Sequence, residues 1–101
     1  MALKAGFIFV APHADPGKHR SVVETPEVTL IVVGVENYAQ AETIAKKLVE
    51  EGIQAIELCA GFGVEGTARI KRAVGGKAAV GAVRFDSHPG LGGKSGDDIF
   101  A

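Results

Sequence analysis

Two segments concentrate the residue types that do chemistry. One is Glu57-Leu58-Cys59-Ala60-Gly61-Phe62-Gly63. The other is Arg84-Phe85-Asp86-Ser87-His88. Cys59 stands just before a glycine turn, where a strand should hand over to a helix. Aligned backbone N–H groups and a partial positive charge at such a place favour a thiolate, so Cys59 is a candidate nucleophile. Its other reading is a small buried hydrophobe, a common fate of free cysteine. Glu57 sits in a stretch that otherwise reads as buried strand. An unpaired buried carboxylate is costly, so Glu57 needs a partner, and Arg84 on the next strand is the expected one. The pair is then either a structural ion pair or a general base of tuned pKa.

Gly61-Phe62-Gly63-Val64-Glu65-Gly66 spells G-x-G-x-x-G between a strand and a helix, with Asp86 following. A dinucleotide fingerprint is disfavoured. Cys59 and Glu57 occupy positions that should be apolar, Glu65 would face a pyrophosphate, and too few strands are present. A smaller anion on the same helix N-terminus fits better. The expected ligand-binding set is Gly61, Phe62, Gly63, Arg84, Asp86, His88 and His13. Gly93-Lys94-Ser95 resembles the end of a P-loop, but His88 stands where its first glycine belongs and no helix can follow. His13 with Asp15, and Asp86 with His88, are weak candidate metal ligands: each pair is spaced to point one way on an extended segment. Adjacent Asp86, Ser87 and His88 cannot orient as a catalytic triad. No cofactor is identified.

The elements that must position these residues can be read from periodicity. Ala5–Ala11 is expected as a short, fully buried strand and Val28–Val35, a continuous β-branched run, as a central one. Pro12 to Pro26 is a long polar connection, with a short edge strand possible around Ser21–Thr25. Asn37 and Gln40 form a capping box ahead of Tyr38, Ala41, Ile44, Ala45 and Leu48 at helical spacing, and Gly52 ends that helix. Gln54–Cys59 is the third strand. A second helix is expected over Val64–Val74, with Thr67, Ile70 and Val74 facing in and Gly75-Gly76 stopping it. Ala78–Arg84 is the fourth strand, and Phe85 is expected in the core.

The expected fold is therefore α/β: a small, mainly parallel four-stranded sheet in the order β-loop-β-α-β-α-β, with two main helices and a Gly-rich C-terminal tail. The chain reads as a single domain over 1–101, with 86–101 a flexible or wrapping tail. In such sheets ligands bind beyond the carboxyl ends of the strands, which here gathers His13, Cys59, Arg84 and His88 on one rim. Two helices cannot comfortably cover both faces of the sheet, which leaves one face or edge to the long loop, the tail or a second subunit, and a homo-oligomer is expected.

Composition removes several classes. Eleven Lys+Arg against twelve Asp+Glu, spread along the chain, give no basic patch for nucleic acid. No apolar run approaches a membrane span, and no signal peptide is recognisable. One cysteine forbids an internal disulfide and suits a cytoplasmic protein.

Glu57–Gly63, Val83-Arg84-Phe85-Asp86-Ser87-His88-Pro89-Gly90 and Gly93–Phe100 together resemble a family of small prokaryotic proteins, about 100 residues long, of unknown function. The likeness extends to Glu24-Thr25-Pro26 and covers nearly the whole chain. Ala60 departs from it, standing where that family is expected to have glycine. The resemblance implies no reaction. A weaker likeness joins Gly52–Leu58 to strand-entry segments of aldolase-type barrels, where such a glutamate can be catalytic, but the chain is far too short for a barrel. Three readings follow. The first is a site for a small anionic or carbonyl metabolite, in an enzyme or a binding protein. The second is a non-catalytic oligomeric module, and the third a metal-binding protein.

Overall fold

The computed structural model describes residues 2–101. Strands β1 (Leu3–Val10), β2 (Arg20–Glu24) and β3 (Val28–Val35) come first. Helix α1 (Tyr38–Glu50), strand β4 (Ala55–Leu58), helix α2 (Val64–Val74) and strand β5 (Ala79–Ala82) follow. A 3₁₀ turn at Pro89–Leu91 and a short helix α3 (Asp97–Phe100) close the chain. The strands form one sheet in the order β2-β3-β1-β4-β5. β3, β1, β4 and β5 are parallel, whereas β2 runs antiparallel to β3.

The sheet thus has five strands, not the four expected. The addition is the segment expected at most as a short edge strand. All five of its residues are exposed, so no buried alternation announces it. It forms because Val22 and Val23 favour extended backbone and because it covers the open edge of β3. Thr25 closes the hairpin: its N–H and hydroxyl both donate to the Val28 carbonyl, and its oxygen accepts from Val28 N–H.

Both helices begin and end where the periodicity places them. The Asn37 carboxamide accepts from Gln40 N–H at 2.9 Å, and Gln40 reaches back to Glu36 N–H at 2.7 Å. Asn37→Ala is expected to cost about 1 kcal/mol, read as a lower urea midpoint at unchanged slope. Gly52 and Gly75 take left-handed backbone just past the two helix ends, as a helix stop requires.

The sheet is asymmetric. Gly6, Ile8 and Val10 of β1 share one face with Ile31, Val33 and Val35 of β3 and with Ile56 and Leu58 of β4. Tyr38, Ala41, Ala45 and Leu48 of α1 and Ile70 and Val74 of α2 join that face in a single buried cluster. Both helices therefore lie on one side. The opposite face carries Phe7, Phe9, Leu30, Val32 and Val23. None belongs to the core cluster, and no helix among the described residues packs on it. The Gly-rich tail wraps back on its own chain: Phe100 is buried, 6.4 Å from the Tyr38 ring. No helix among the described residues is long and apolar enough to cross a membrane.

Candidate functional site

Because β1, β3, β4 and β5 are parallel, their carboxyl ends meet at one rim, and the glycine turn Gly61–Gly63 lies there. The start of α2 has Gly63 as its N-cap, which brings no capping side chain. The carboxylate comes from the tail instead. Asp97 accepts from Glu65 N–H and Gly66 N–H, each at 3.0 Å. The Tyr38 hydroxyl donates to the same carboxylate at 3.0 Å and accepts from Gly63 N–H at 3.0 Å. The expected anion position at the α2 N-terminus is thus filled by the chain's own side chain. A Cβ on Gly63 would collide with that carboxylate, and one on Gly96 with the Gly61 carbonyl. Gly63 and Gly66 of the G-x-G-x-x-G stretch make room for this clasp, whereas Gly61 makes room for Val10.

Electrostatics agree with the geometry. Burial pushes the Tyr38 hydroxyl up to about 12; the Gly63 N–H opposes the rise and Asp97 adds to it. Burial also works to raise Asp97, but the N–H groups of Glu65 and Gly66, the Tyr38 hydroxyl and the Val64 N–H outweigh it. They hold the carboxyl below its ordinary value. Arg69 grips Glu42 through two nitrogens at 3.0 and 3.3 Å and lies 5.7 Å over the Tyr38 ring, tying α1 to α2 beside the clasp.

Cys59 is half-buried at this rim. Its sulfur accepts from Gly61 N–H at 3.3 Å and Val10 N–H at 3.5 Å, and the residue packs against the core. Glu57 lies elsewhere. The register places it between Phe7 and Gly81 on the face without helices, and it is exposed. The buried Glu57–Arg84 pair expected from sequence does not form: Arg84 bonds Asp86 at 2.8 Å. Glu57 needs no buried partner because Ile56 and Leu58 face the helices while it faces out.

Phe85, expected in the core, is 41% exposed and lies 5.3 Å from the His88 ring. It follows the end of β5, beyond the reach of either helix. His88 is occupied locally, its Nδ1 accepting from Gly90 N–H at 3.0 Å. His13 is exposed in left-handed backbone, and Asp15 N–H donates to His19 Nδ1 at 2.8 Å. Among the described residues no three His, Cys, Asp or Glu side chains gather as a metal centre, His13, Asp15, Asp86 and His88 included.

A second feature opens at the same end of the molecule. A cleft of about 380 Å³ separates α2 from β5, floored by Val64, Thr67, Ala68 and Val80, with Lys71 and Arg84 as its cations. Sequence reading singled out Arg84 but not this cleft, nor Tyr38 and Asp97 as partners. No local sequence signal pairs them; of the apolar Ile99-Phe100 pair only Phe100 is buried and anchors the tail.

Comparison with curated proteins and with solved structures gives no match. Residues 3–98 match the model of a family of unknown function, DUF6506, and the chain belongs to that family.

Proposed function

We propose that the protein binds a small amphipathic anion, a carboxylate or phosphate on an apolar body, in the cleft between α2 and β5. The observation that carries this is the pairing of an apolar floor with two cations in one opening of about 380 Å³. Ligand sites are typically mostly apolar clefts with a few placed polar groups. Val64, Ala68 and Val80 would take the ligand's body. Lys71 and Arg84 would take its charge, Arg84 exchanging Asp86 for the ligand. Arg84 offers a planar fork that matches a carboxylate or phosphate. Cys59 and Glu57 lie outside this reading, which assigns binding and no reaction. The single cysteine suits a reducing compartment such as the cytoplasm.

The test is a backbone amide NMR titration with benzoate and phenyl phosphate, and with benzyl alcohol as the uncharged comparison. The expected result is saturable shifts confined to Val64–Lys71 and Val80–Arg84. The anions should bind about tenfold more tightly than the alcohol, and Arg84→Ala or Lys71→Ala should each remove about that advantage. Equal weak binding of all three probes would sink the assignment, as would shifts centred elsewhere.

A further inference from the structure

We propose that the helix-free face of the sheet is a homodimer interface, two copies packing face to face about a two-fold axis that runs along β1. This inference does not rest on the cleft, although Gly81 and Ala82 of β5 border both openings.

The rows of the face can be read across the strands from the register. One row is Val23, Leu30, Ala5, Ala55, Ala79. The next is Ser21, Val32, Phe7, Glu57, Gly81. Phe9 follows, its ring lying against Gly34 so closely that a Cβ there would come within 2.6 Å. Size is distributed unevenly. Val23, Leu30 and Val32 stand on β2 and β3, to one side of the central β1, which carries Phe7 and Phe9. Ala55, Ala79 and Gly81 stand on β4 and β5, where a depression of about 310 Å³ beside Glu57 is lined by Gly81, Ala82 and, at its end, the exposed Val83.

A bulky half beside a shallow half is self-complementary under one operation. Rotation about an axis parallel to the strands turns a second copy over and exchanges left for right. Its β3 and β2 then lie over the first copy's β4 and β5, and ridge meets trough twice. An axis across the strands would set ridge on ridge. Such an arrangement is isologous, and it brings Phe7 close to its own copy near the axis.

The area suffices. Five strands about 4.8 Å apart, each contributing about six residues of about 3.3 Å, cover on the order of 480 Å² per copy. Two copies bury on the order of 1,000 Å², the size at which specific interfaces begin. Charge favours a second copy over other occupants. The paired rows hold one charged side chain, Glu57, and no cation that would attract a phosphate backbone or an anionic lipid. Glu57 falls opposite the second copy's β3, in the row that ends at Ser21, whose hydroxyl can donate to it. An unneutralised carboxylate at that place holds the affinity down.

Sedimentation velocity across a concentration series tests this, with circular dichroism confirming the fold of each variant. At about 100 μM the wild-type chain should sediment at twice its 10.4 kDa mass. Phe7→Glu should weaken the dimer at least about tenfold. Gly81→Val is the sharper variant. A Cβ there meets nothing within 4 Å in the single chain, so the monomer tolerates it and only the seated ridge objects. It too should weaken the dimer about tenfold, while Lys71→Ala leaves the mass unchanged. A wild-type monomer at every concentration would overturn the proposal, and so would a dimer indifferent to Gly81→Val. Co-sedimentation of a monomer with neutral phosphatidylcholine vesicles would assign the face to lipid and overturn it equally.

Discussion

Gly66→Ala is expected to destabilise the fold by about 1–3 kcal/mol, although alanine is the better helix former. On propensity alone the substitution inside α2 should gain up to about 1 kcal/mol. The added methyl has nowhere to go. It would stand 2.5–2.8 Å from Cζ, Cε2 and the hydroxyl of Tyr38. That ring cannot retreat. It is fully buried, stacked on Phe62 at 5.3 Å with 13° between planes, and backed by Phe100. Its hydroxyl is held by Gly63 and Asp97. Moving α2 instead would break the Asp97 bonds to Glu65 and Gly66. At about 4–8 °C of melting temperature per kcal/mol, the loss is easily seen by calorimetry. An unchanged or higher melting temperature would mean that Tyr38 does not limit the approach of α2 to α1.

Asp97→Ala is expected to cost about 1–2 kcal/mol at neutral pH, the range for losing an N-cap side chain. The value applies even though this cap arrives from about thirty residues away, because the orphaned groups are the same: Glu65 N–H and Gly66 N–H. The effect also has a pH signature. Asp97's carboxyl lies below its ordinary value in the folded chain, so the folded state holds the ionised form more firmly than the unfolded state does. The stabilisation is fully present above the unfolded carboxyl value of about 3.9, and it is lost as pH falls through the lower folded value. Urea unfolding of wild type and Asp97→Ala should therefore differ by a constant amount from about pH 5 to 7 and converge in acid. A difference that grew on acidification would show that Asp97 is not held as a carboxylate.

Much of the architecture was readable because it is written in local patterns. The Tyr38–Leu48 stripe, the Asn37/Gln40 box and the glycines after each helix are features of neighbouring residues, and they place α1 and α2 correctly. β2 was hard to see because it buries nothing; only its pairing with β3 defines it. Glu57 was misread for a related reason. Ile56, Glu57 and Leu58 alternate, which is the signature of a strand with one open face, but the apolar Ala55, Ile56 and Leu58 around Glu57 suggested burial on both sides. The expectation of an uncovered face came from counting helices, and the structure shows which face it is. The clasp lay beyond sequence reasoning. It joins Tyr38 to Asp97 across 59 positions, and nothing local marks either residue as the other's partner.

The same span has a consequence for synthesis. The first turn of α2 lacks its cap until Asp97 exists, and for the same interval the Tyr38 hydroxyl has only the Gly61 carbonyl, at 3.3 Å, to donate to. At about 5–20 residues per second, ribosomes need roughly 1–3 s to pass from Ala82, the end of β5, to Asp97. During that time the sheet and both helices can be present with the rim unfinished and the Phe100 position empty. Completion of the rim is thus a late event, after elongation through the tail, and a nascent chain stalled before Asp97 would be open to proteases at the one end where its ligand is proposed to bind.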